Sequence, residues 1–345
     1  MRHLRHLSKI LTSQSMAKVV EHYFKDPHVR QLFQRYATYN GSSPYKLPGT
    51  FNIIPYVELK EGGWYIRGGI YRLAEALEKC ARDLGVEILV DANVTEILCK
   101  ENGTFKKPTA TGVMVGEVRM EADAVICNAD VTHVWSKLLK MKRQKSVVRF
   151  LERQPFSSSP FMMLLGVKKR FEKLAHHNVF FSSDYIAEFD DIFHKKRPPQ
   201  EPTVYVSISS RTDPTQAPPE QDNYFVLVNT PAIEPDHNWE NLKPAYRNLI
   251  LDRLEGSGLP GLRQEIVCEK IITPADFAER TNTHRGAIYG HATHSLFSMM
   301  QRLPNRSTKV QNLYFVGGTV KPGGGIPLVL LSAQRVARAV NSDFD

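Results

Sequence analysis

The residues best placed to do chemistry are glycines near the C-terminus, between a short apolar run and a helix-like segment. Leu313 to Val316 is apolar throughout, which is typical of a strand buried on both faces. Gly317 and Gly318 follow, and three more glycines precede a helix expected to begin near Ile326, with Pro327 in its first turn. Glycines let backbone approach a ligand closely, and a helix N-terminus offers N–H groups. The pattern suits a nucleotide phosphate, and a glycine turn without a ligand is the alternative.

The elements around these glycines have the rhythm of an α/β protein. Apolar residues recur at helical spacing from Ile70 to Leu84, Gly85 ends the stripe, and Val86 to Val90 is predicted to be a strand. Cys80 lies on the apolar face of this helix and is expected to be buried. A hairpin is predicted around Gly116-Glu117. Further strands are predicted at 94–98 and 124–127.

A second region, from about residue 131, alternates strand candidates with polar, proline-rich loops. A helix is expected from Trp239 to Leu254. The chain then returns to the first region for the strand at Leu313, so both domains are discontinuous in sequence. The strand candidates of this region are 161–167, 179–181, 203–208 and 224–229.

Composition excludes several classes of protein. The 345 residues are 42% hydrophobic and 23% charged, which is ordinary for a globular protein. The net charge of +9 favours an anionic partner, but the basic residues are dispersed and no nucleic-acid motif accompanies them. No apolar run reaches eighteen residues. The four cysteines have no paired spacing and the histidines match no zinc pattern, so neither a disulfide nor a metal is expected, and a cytoplasmic location is favoured.

Several segments, taken together, resemble the carotenoid desaturases of the phytoene-dehydrogenase type, which are flavoproteins. The resemblance covers nearly the whole chain and is more specific than a glycine pattern. The segments that carry it, in the family's order, are Gly63-Trp-Tyr-Ile-Arg-Gly-Gly-Ile-Tyr-Arg-Leu-Ala-Glu-Ala-Leu77, Asn128-Ala-Asp-Val131, His176-His-Asn-Val-Phe-Phe-Ser182, Pro202-Thr-Val-Tyr-Val-Ser207, Gly286-Ala-Ile-Tyr-Gly290 and Asn312-Leu-Tyr-Phe-Val-Gly-Gly-Thr-Val-Lys-Pro-Gly-Gly-Gly-Ile-Pro-Leu-Val-Leu-Leu-Ser-Ala333.

The resemblance implies a two-domain α/β flavoprotein with a Rossmann-like FAD-binding domain and an α+β substrate domain. It assigns 62–135 and 305–345 to the FAD-binding domain, and 1–61 and 136–304 to the substrate domain. It identifies no catalytic acid or base, so the catalytic residues stay unknown. The FAD-contacting residues that it implies are Val94 at the adenine, Asn128 and Ala129 at the nucleotide-facing strand end, Gly317 and Gly318 at the pyrophosphate and ribityl chain, and Ile326 and Pro327 at the isoalloxazine.

The resembling family opens with a strand, a GxGxxG turn and a helix that hold the FAD pyrophosphate. No such unit is recognisable here, so the chain is expected to be the C-terminal portion of a desaturase. Either its start lies elsewhere or another polypeptide supplies the N-terminal FAD-binding unit. Without that unit the chain is expected to bind FAD weakly.

The function implied by the resemblance is FAD-dependent desaturation of a phytoene-like or diapophytoene-like polyene. A carotenoid oxygenase or isomerase, and a catalytically silent fragment or subunit of a split enzyme, are the alternatives. A polyene resides in a bilayer, so peripheral membrane contact is also expected. The amphipathic basic segment Met1 to Leu11 is the expected contact, and an ordinary helix of the substrate domain is its alternative.

Overall fold

A computed structural model describes residues 14–103, 105–141 and 144–345, and divides the chain into two compact units. The first contains the residues up to 52, 90–158 and 278–345. The second contains 53–89 and 159–277. Both units are discontinuous in sequence. They divide the chain at other positions than the functional domains expected above, whose boundaries stay a prediction.

The described helices and strands are numbered separately in chain order. The helices are α1 (Met16–Tyr23), α2 (Pro27–Gln34), α3 (Ile53–Glu61), α4 (Tyr71–Asp83), α5 (Val131–His133), α6 (Gln144–Glu152), α7 (Tyr185–Phe193), α8 (Trp239–Gly256), α9 (Leu262–Glu265), α10 (Pro274–Thr281), α11 (Leu296–Gln301) and α12 (Ile326–Phe344). The strands are β1 (Val94–Lys100), β2 (Thr109–Val115), β3 (Val118–Glu121), β4 (Val125–Cys127), β5 (Ser159–Val167), β6 (His177–Phe180), β7 (Val204–Ser207), β8 (Asp222–Thr230), β9 (Ile266–Ile272) and β10 (Leu313–Phe315).

The second unit is built on a five-stranded antiparallel sheet with the order β6-β7-β8-β5-β9. Alternate residues of β5 are buried because successive side chains of a strand point to opposite faces, and β8 shows the same alternation. These side chains pack in one hydrophobic cluster with Trp239, Tyr246, Ile250 and Leu254 of α8. The sequence prediction of four strands and a helix in this region is confirmed, and β9 is an addition.

The first unit contains two small sheets. Strands β1, β2 and β3 form an antiparallel meander, whose last turn is the hairpin predicted at Gly116-Glu117. Strands β4 and β10 pair in parallel, although Cys127 and Leu313 are 186 positions apart along the chain (313 − 127 = 186). Leu313, Tyr314 and Phe315 are buried, as predicted from their apolar run. The core of this unit therefore lies around the β4–β10 pair.

The segment 70–90 differs from its prediction. The helix is present as α4 and ends before Gly85, but none of its residues is buried, and Cys80 is exposed. Residues Val86 to Val90 form no strand. The physical reason is that no described strand pairs with 86–90, so the apolar face of α4 has no sheet to pack on. The helical spacing was correct and the inference of burial was wrong.

Two further expectations concern helices. The helix expected near Ile326 is present as α12, in which Ser332 and Val336 are the buried residues. The helix expected over Met1 to Leu11 lies outside the described residues. Across the described ranges, no helix combines the length and the apolar character that crossing a bilayer requires.

The alternation along β5 gives a test of the core. We expect Met163→Ala to lower the free energy of unfolding by about 2–5 kcal/mol, since its fully buried side chain would leave a cavity. Leu164→Ala is the matched control on the same strand, because Leu164 points to the other face and is 37% exposed. Urea denaturation should show a much smaller loss for the control. Equal losses would contradict the assigned faces of the sheet.

Candidate functional site

The candidate site lies where the carboxyl ends of β4 and β10 meet. Because the strands pair in parallel, the loops that follow Cys127 and Phe315 leave the same edge of the sheet. Asn128 and Gly317 are in direct contact there, since a Cβ added to Gly317 would lie 2.4 Å from Asn128 Oδ1. Gly317 has a φ of 109°, which favours glycine. The site thus requires glycine at this position for two independent reasons.

The loop from Gly317 to Gly325 folds back on itself before α12 begins. A Cβ on Gly318 would lie 3.2 Å from the Cα of Gly324, so the two arms of the loop are in backbone contact. The loop is also tied to the end of β4, because Val131 N donates to Thr319 Oγ1 at 3.2 Å. A larger residue at either arm would separate the two arms.

Two polar side chains hold the base of this loop. Asn305 Nδ2 donates to the carbonyl oxygens of Phe315 and Lys321 and to Ser332 Oγ, at 2.9–3.0 Å. Ser332, which is buried in α12, accepts a hydrogen bond from Gly317 N at 3.2 Å. The N–H of Gly317 is therefore engaged inside the protein. Gly317 can serve a ligand by allowing close approach of the backbone, whereas other groups must donate the hydrogen bonds.

The side chain of Arg302 is buried beneath the same loop, with only 4% of the residue exposed. Its guanidinium donates to the carbonyl oxygens of Gly318, Tyr289 and His291 at 2.8, 3.3 and 2.8 Å. Burial lowers its pKa to about 10, which leaves it protonated at neutral pH. No carboxylate of the described residues forms an ion pair with it. Arg302 thus joins the 289–291 turn to the glycine loop and adds a buried positive charge.

Tyr289 lies between two glycines from distant parts of the chain. Cβ atoms added to Gly41 and Gly324 would lie 2.7 and 2.4 Å from opposite sides of its ring. Tyr289 N donates to Ser157 Oγ at 3.0 Å, and burial raises the pKa of its hydroxyl. The segment beginning at Gly41 therefore packs beside the glycine loop.

A group of titratable side chains follows β4. Asp130 Oδ1 accepts hydrogen bonds from Thr132 N and His133 N at 2.8 and 3.0 Å and so caps α5. Its Oδ2 is buried and has no hydrogen-bond partner among the described residues. Burial raises the pKa of Asp130, and the hydrogen bonds from His133 N and Thr132 N oppose that rise. Burial likewise lowers the pKa of His284. This is a buried, polar strand end beside the glycine loop.

The comparisons with known proteins agree with this geometry. Residues 2–341 match the family model described as flavin containing amine oxidoreductase. The chain belongs to the flavin-containing amine oxidoreductase family. The expectations of a flavoprotein fold and of a flavin cofactor, FAD, are confirmed by this membership.

The curated relatives act on carotenoids according to their names. The chain is 40% identical to 1-hydroxycarotenoid 3,4-desaturase of Flavobacterium sp. over 91% of its length, and covers 62% of that protein. It is 37% identical to 4,4'-diapolycopene oxygenase of Methylomonas sp over 99% of its length, covering 67%. It is 36% identical to 4,4'-diaponeurosporene oxygenase of Staphylococcus aureus over 95%, covering 65%. The chain therefore spans about two thirds of these relatives and resembles the carotenoid desaturases, as inferred from its motifs.

Solved structures show the same fold. An oxidoreductase from Methanosarcina mazei aligns with a TM-score of 0.67 at 18% identity, over 97% of this chain and 70% of its own. A putrescine oxidase variant aligns with a TM-score of 0.61 at 13% identity, over 98% and 69%. At these identities the likeness concerns the fold alone, and it confirms the α/β fold class.

The described residues could bind one part of the FAD that the family uses. Gly317 and Gly318 have no side chains, so a ligand can approach the backbone closely there. Helix α12 begins directly after Gly325, and no side chain caps its first turn. The first N–H groups of a helix have no acceptor within the helix, and Pro327 has none to offer. The N–H groups of Ile326 and Leu328 are therefore the donors at this end. They suit an electron-rich or negatively charged edge.

The remaining predicted contacts stay predictions. Asn128 lies at the strand end against Gly317, and Ala129 follows it, partly buried against the core of the unit. Val94 begins β1 and lies in the other sheet, opposite Val115. None of the described contacts at the two strand ends involves Val94. Sequence reasoning gave no role to Arg302, Tyr289 or Gly41, although Tyr289 lies in the resembling segment Gly286 to Gly290.

The spacing GxGxxG does occur once in the sequence, at Gly256-Ser-Gly-Leu-Pro-Gly261. It joins the end of α8 to α9 and follows no strand. A dinucleotide-binding turn needs a strand before it and a helix whose N-terminus faces the pyrophosphate. This match is therefore a helix-to-helix connection, and it supplies no pyrophosphate site.

We expect Gly317→Ala to destabilise the protein by about 1–3 kcal/mol, because alanine is strained at positive φ and its Cβ would meet Asn128. Gly325→Ala is the control, since its φ is 100° but no atom lies within 4 Å of an added Cβ. The control isolates the backbone strain from the contact. Thermal unfolding should rank Gly317→Ala below Gly325→Ala, and the reverse order would refute the Asn128 contact.

The buried histidines give a second prediction, on pH. Burial, followed by the charge of Arg302, lowers the pKa of His291 to about 4, and its Nε2 donates to the Leu151 carbonyl at 3.0 Å. Burial lowers the pKa of His294 to a similar value. Because the folded state disfavours the protonated form, we expect the free energy of unfolding to fall as pH decreases from about 6.5 towards 4.

His291→Gln should flatten this dependence, since glutamine keeps a donor for Leu151 and does not titrate. The pH dependence of the free energy of unfolding that remains in the variant includes the contribution of His294. The raised pKa of Asp130 contributes with the opposite sign, equally in the variant and in the unaltered chain. Denaturant titrations at several pH values would measure the difference. An unchanged slope in the variant would mean that His291 does not remain neutral on folding.

Proposed function

We propose that this chain is the larger part of an FAD-dependent carotenoid desaturase that removes hydrogen from a phytoene-like or diapophytoene-like polyene. The observation that carries the proposal is the glycine loop at two parallel strand ends, in a chain 40% identical to a carotenoid desaturase. When bound, the flavin accepts a hydride from an allylic carbon of the substrate. The chain itself binds one side of the cofactor and excludes water.

The residues around the loop suit this limited role. Arg302 and Asn305 hold its carbonyl groups, so the backbone that faces the cofactor is preorganised. Ile326 N–H and Leu328 N–H offer hydrogen bonds at the start of α12, and the buried guanidinium favours negative charge nearby. Asp130 is the buried carboxyl group nearest in sequence to the strand end, and its raised pKa suits it to hold a proton there.

A second candidate function is oxygenation of a carotenoid end group. Two of the three relatives compared above bear oxygenase names, at 37% and 36% identity. The two reactions differ in product composition. A desaturation step removes two hydrogen atoms and lengthens the conjugated system, whereas oxygenation adds oxygen to a terminal carbon. Isomerisation would change neither.

We further propose that β4 receives a flavin-binding strand from a unit beyond these 345 residues. Among the described strands β4 pairs with β10 alone, and Ile126 in its middle is 52% exposed. A strand edge of this kind is a template for another strand. The relatives are longer than this chain, and they give the proposal its second support. A separate polypeptide or a longer form of the same chain would serve equally.

The experiment is to express the chain alone, and together with the strand–GxGxxG–helix segment of a relative, in cells that make a colourless polyene. We expect the chain alone to retain little FAD, because it lacks the hydrogen bonds to the pyrophosphate, which contribute about 1.5–3 kcal/mol each. With the segment, flavin retention and coloured product should appear together.

Product mass separates the candidates, since loss of hydrogen supports the desaturase and gain of oxygen supports the oxygenase. Gly317→Ala in the combined system should lower flavin retention, with Gly325→Ala as its control. If the chain alone retained one FAD per molecule, the expectation that it lacks the pyrophosphate-binding unit would be wrong. No conversion of any C30 or C40 polyene by a flavin-loaded complex would end the carotenoid proposal.

Finally, we propose that the protein acts at the cytoplasmic surface of a membrane. A long hydrocarbon polyene resides in the bilayer, so the protein must reach it there. The free cysteines accord with a reducing compartment. The basic segment expected to make this contact, with Arg2, Arg5 and Lys9, lies outside the described residues. A membrane-binding surface must therefore be sought among the residues that the structure describes.

A further inference from the structure

The region around α6 concentrates positive charge. Seven basic residues and one acidic residue lie between positions 137 and 153, and two of the basic residues, at 142 and 143, fall outside the described ranges. The basic residues are Lys137, Lys140, Lys142, Arg143, Lys145, Arg149 and Arg153, and the acidic residue is Glu152. The net charge of this short segment is therefore high compared with the net charge of +9 of the whole chain.

Three of these residues form a stripe along α6. Lys145, Arg149 and Arg153 recur at intervals of four, so they lie on one side of the helix and its final turn. All three are exposed, and within the described part of the chain none of them takes part in an ion pair. By contrast, Lys140 is paired with Glu96 at 2.5 Å. The stripe therefore carries three unneutralised charges.

Beside the stripe lies an open cavity of about 230 Å³. Its walls are mainly apolar and come from Trp135, Val147, Phe150, Leu303 and Pro304, while Ser146, Thr308 and Lys309 add polar groups. On a helical projection Ser146 and Phe150 follow directly after the basic stripe, because each residue advances by 100°. The positive stripe thus borders the cavity on one side, and Lys309 lies at its lining.

One polar atom of the cavity residues lacks a partner. Trp135 is only 2% exposed, and its Nε1 has no acceptor among the described residues. A buried donor of this kind is costly unless an acceptor reaches it. Trp135 also lines the cavity, and an acyl chain suits the apolar walls around it.

The exposed apolar face of α4 has a different character. Its charged residues are already paired within the helix, as in Arg72 with Glu75, Lys79 with Asp83 and Arg82 with Glu78. That face offers apolar area without free charge, which suits a protein partner. The surface at α6 combines free positive charge with an apolar cavity, and this combination suits an anionic lipid.

We propose that the basic stripe of α6 and the adjoining cavity form the surface by which this protein docks on an anionic phospholipid bilayer. The stripe binds lipid phosphates, while Phe150 and the cavity receive the upper part of an acyl chain or an ester group. The proposal deepens the membrane contact proposed above, and it does not depend on desaturase activity.

The test measures binding of the 345-residue chain to vesicles of phosphatidylcholine with and without phosphatidylglycerol. The variant combines Lys145→Gln, Arg149→Gln and Arg153→Gln. We expect its partitioning onto anionic vesicles to fall on the order of 100-fold, at about fivefold for each charge removed. Lys168→Gln, Lys173→Gln and Lys270→Gln together remove the same charge from the second unit, and this control should bind like the unaltered chain. Equal binding by variant and control would overturn the proposal.

A second measurement examines the cavity itself. In a Trp64→Phe background the remaining tryptophans are Trp135 and the buried Trp239. Phosphatidylglycerol with brominated acyl chains should quench the fluorescence, and Trp135→Phe should abolish the quenching while leaving vesicle binding measurable. Quenching that persists without Trp135, or binding without any quenching, would overturn the assignment of the cavity.

A third measurement, assembly of the α6 variant with the flavin-binding segment in the absence of lipid, tests whether the surface binds protein instead. If the α6 variant binds vesicles normally but fails to assemble with the flavin-binding segment, the surface is a protein interface and the lipid proposal is wrong. Because the vesicles contain neither polyene nor flavin, the outcome is independent of catalysis. A chain that docks but converts no polyene would refute the proposed function and leave this surface intact.

Discussion

The parallel pairing of β4 with β10 is the interaction on which the candidate site depends. It brings two strand ends together from positions far apart in sequence, and their loops then leave the sheet at one edge. Buried carbonyl groups in such loops must find donors. Here Arg302 and Asn305 supply them, to Gly318, Phe315 and Lys321 among others. The glycine loop keeps its shape because side chains from outside it satisfy its backbone.

The choice of arginine for this task has an electrostatic consequence. A buried guanidinium is costly to desolvate, and its three carbonyl acceptors offset that cost only in part. The charge therefore stays available to a negatively charged neighbour. A group beside the loop that becomes negative during a reaction would be stabilised, and this is the electrostatic role one expects of a protein whose cofactor performs the bond-making chemistry.

The exposed apolar surface is concentrated in a few places, which differ in the partner that they suit. The sheet of the second unit buries its alternate residues against α8. At α4, at Ile126 and along α12, apolar side chains lie exposed instead. Large exposed apolar areas mark interaction sites. The charges that accompany them separate a surface suited to protein, at α4, from one suited to lipid, at α6.

Sequence patterns found most of the elements, while the cofactor contacts that they indicate stay predictions. Local signals sufficed wherever an element's form depends on its own residues, as for the strand at Leu313, the hairpin at Gly116 and the helix after Gly325. They failed at 86–90, where an apolar run has no described partner strand and forms no strand. A strand exists only by pairing, so its residues alone cannot determine it.

The sequence by itself determined the family, the flavin and the need for glycine beside a helix start, because these reside in contiguous motifs. Only the tertiary structure decided that Gly317 packs on Asn128 and donates its N–H to Ser332, so that it offers space rather than a hydrogen bond. The same holds for Tyr289, which lies between Gly41 and Gly324, and for Arg302 beneath the loop. The contact between Gly41 and Tyr289 alone spans 248 positions of the sequence (289 − 41 = 248). No periodicity records such contacts, since they arise from how distant segments pack.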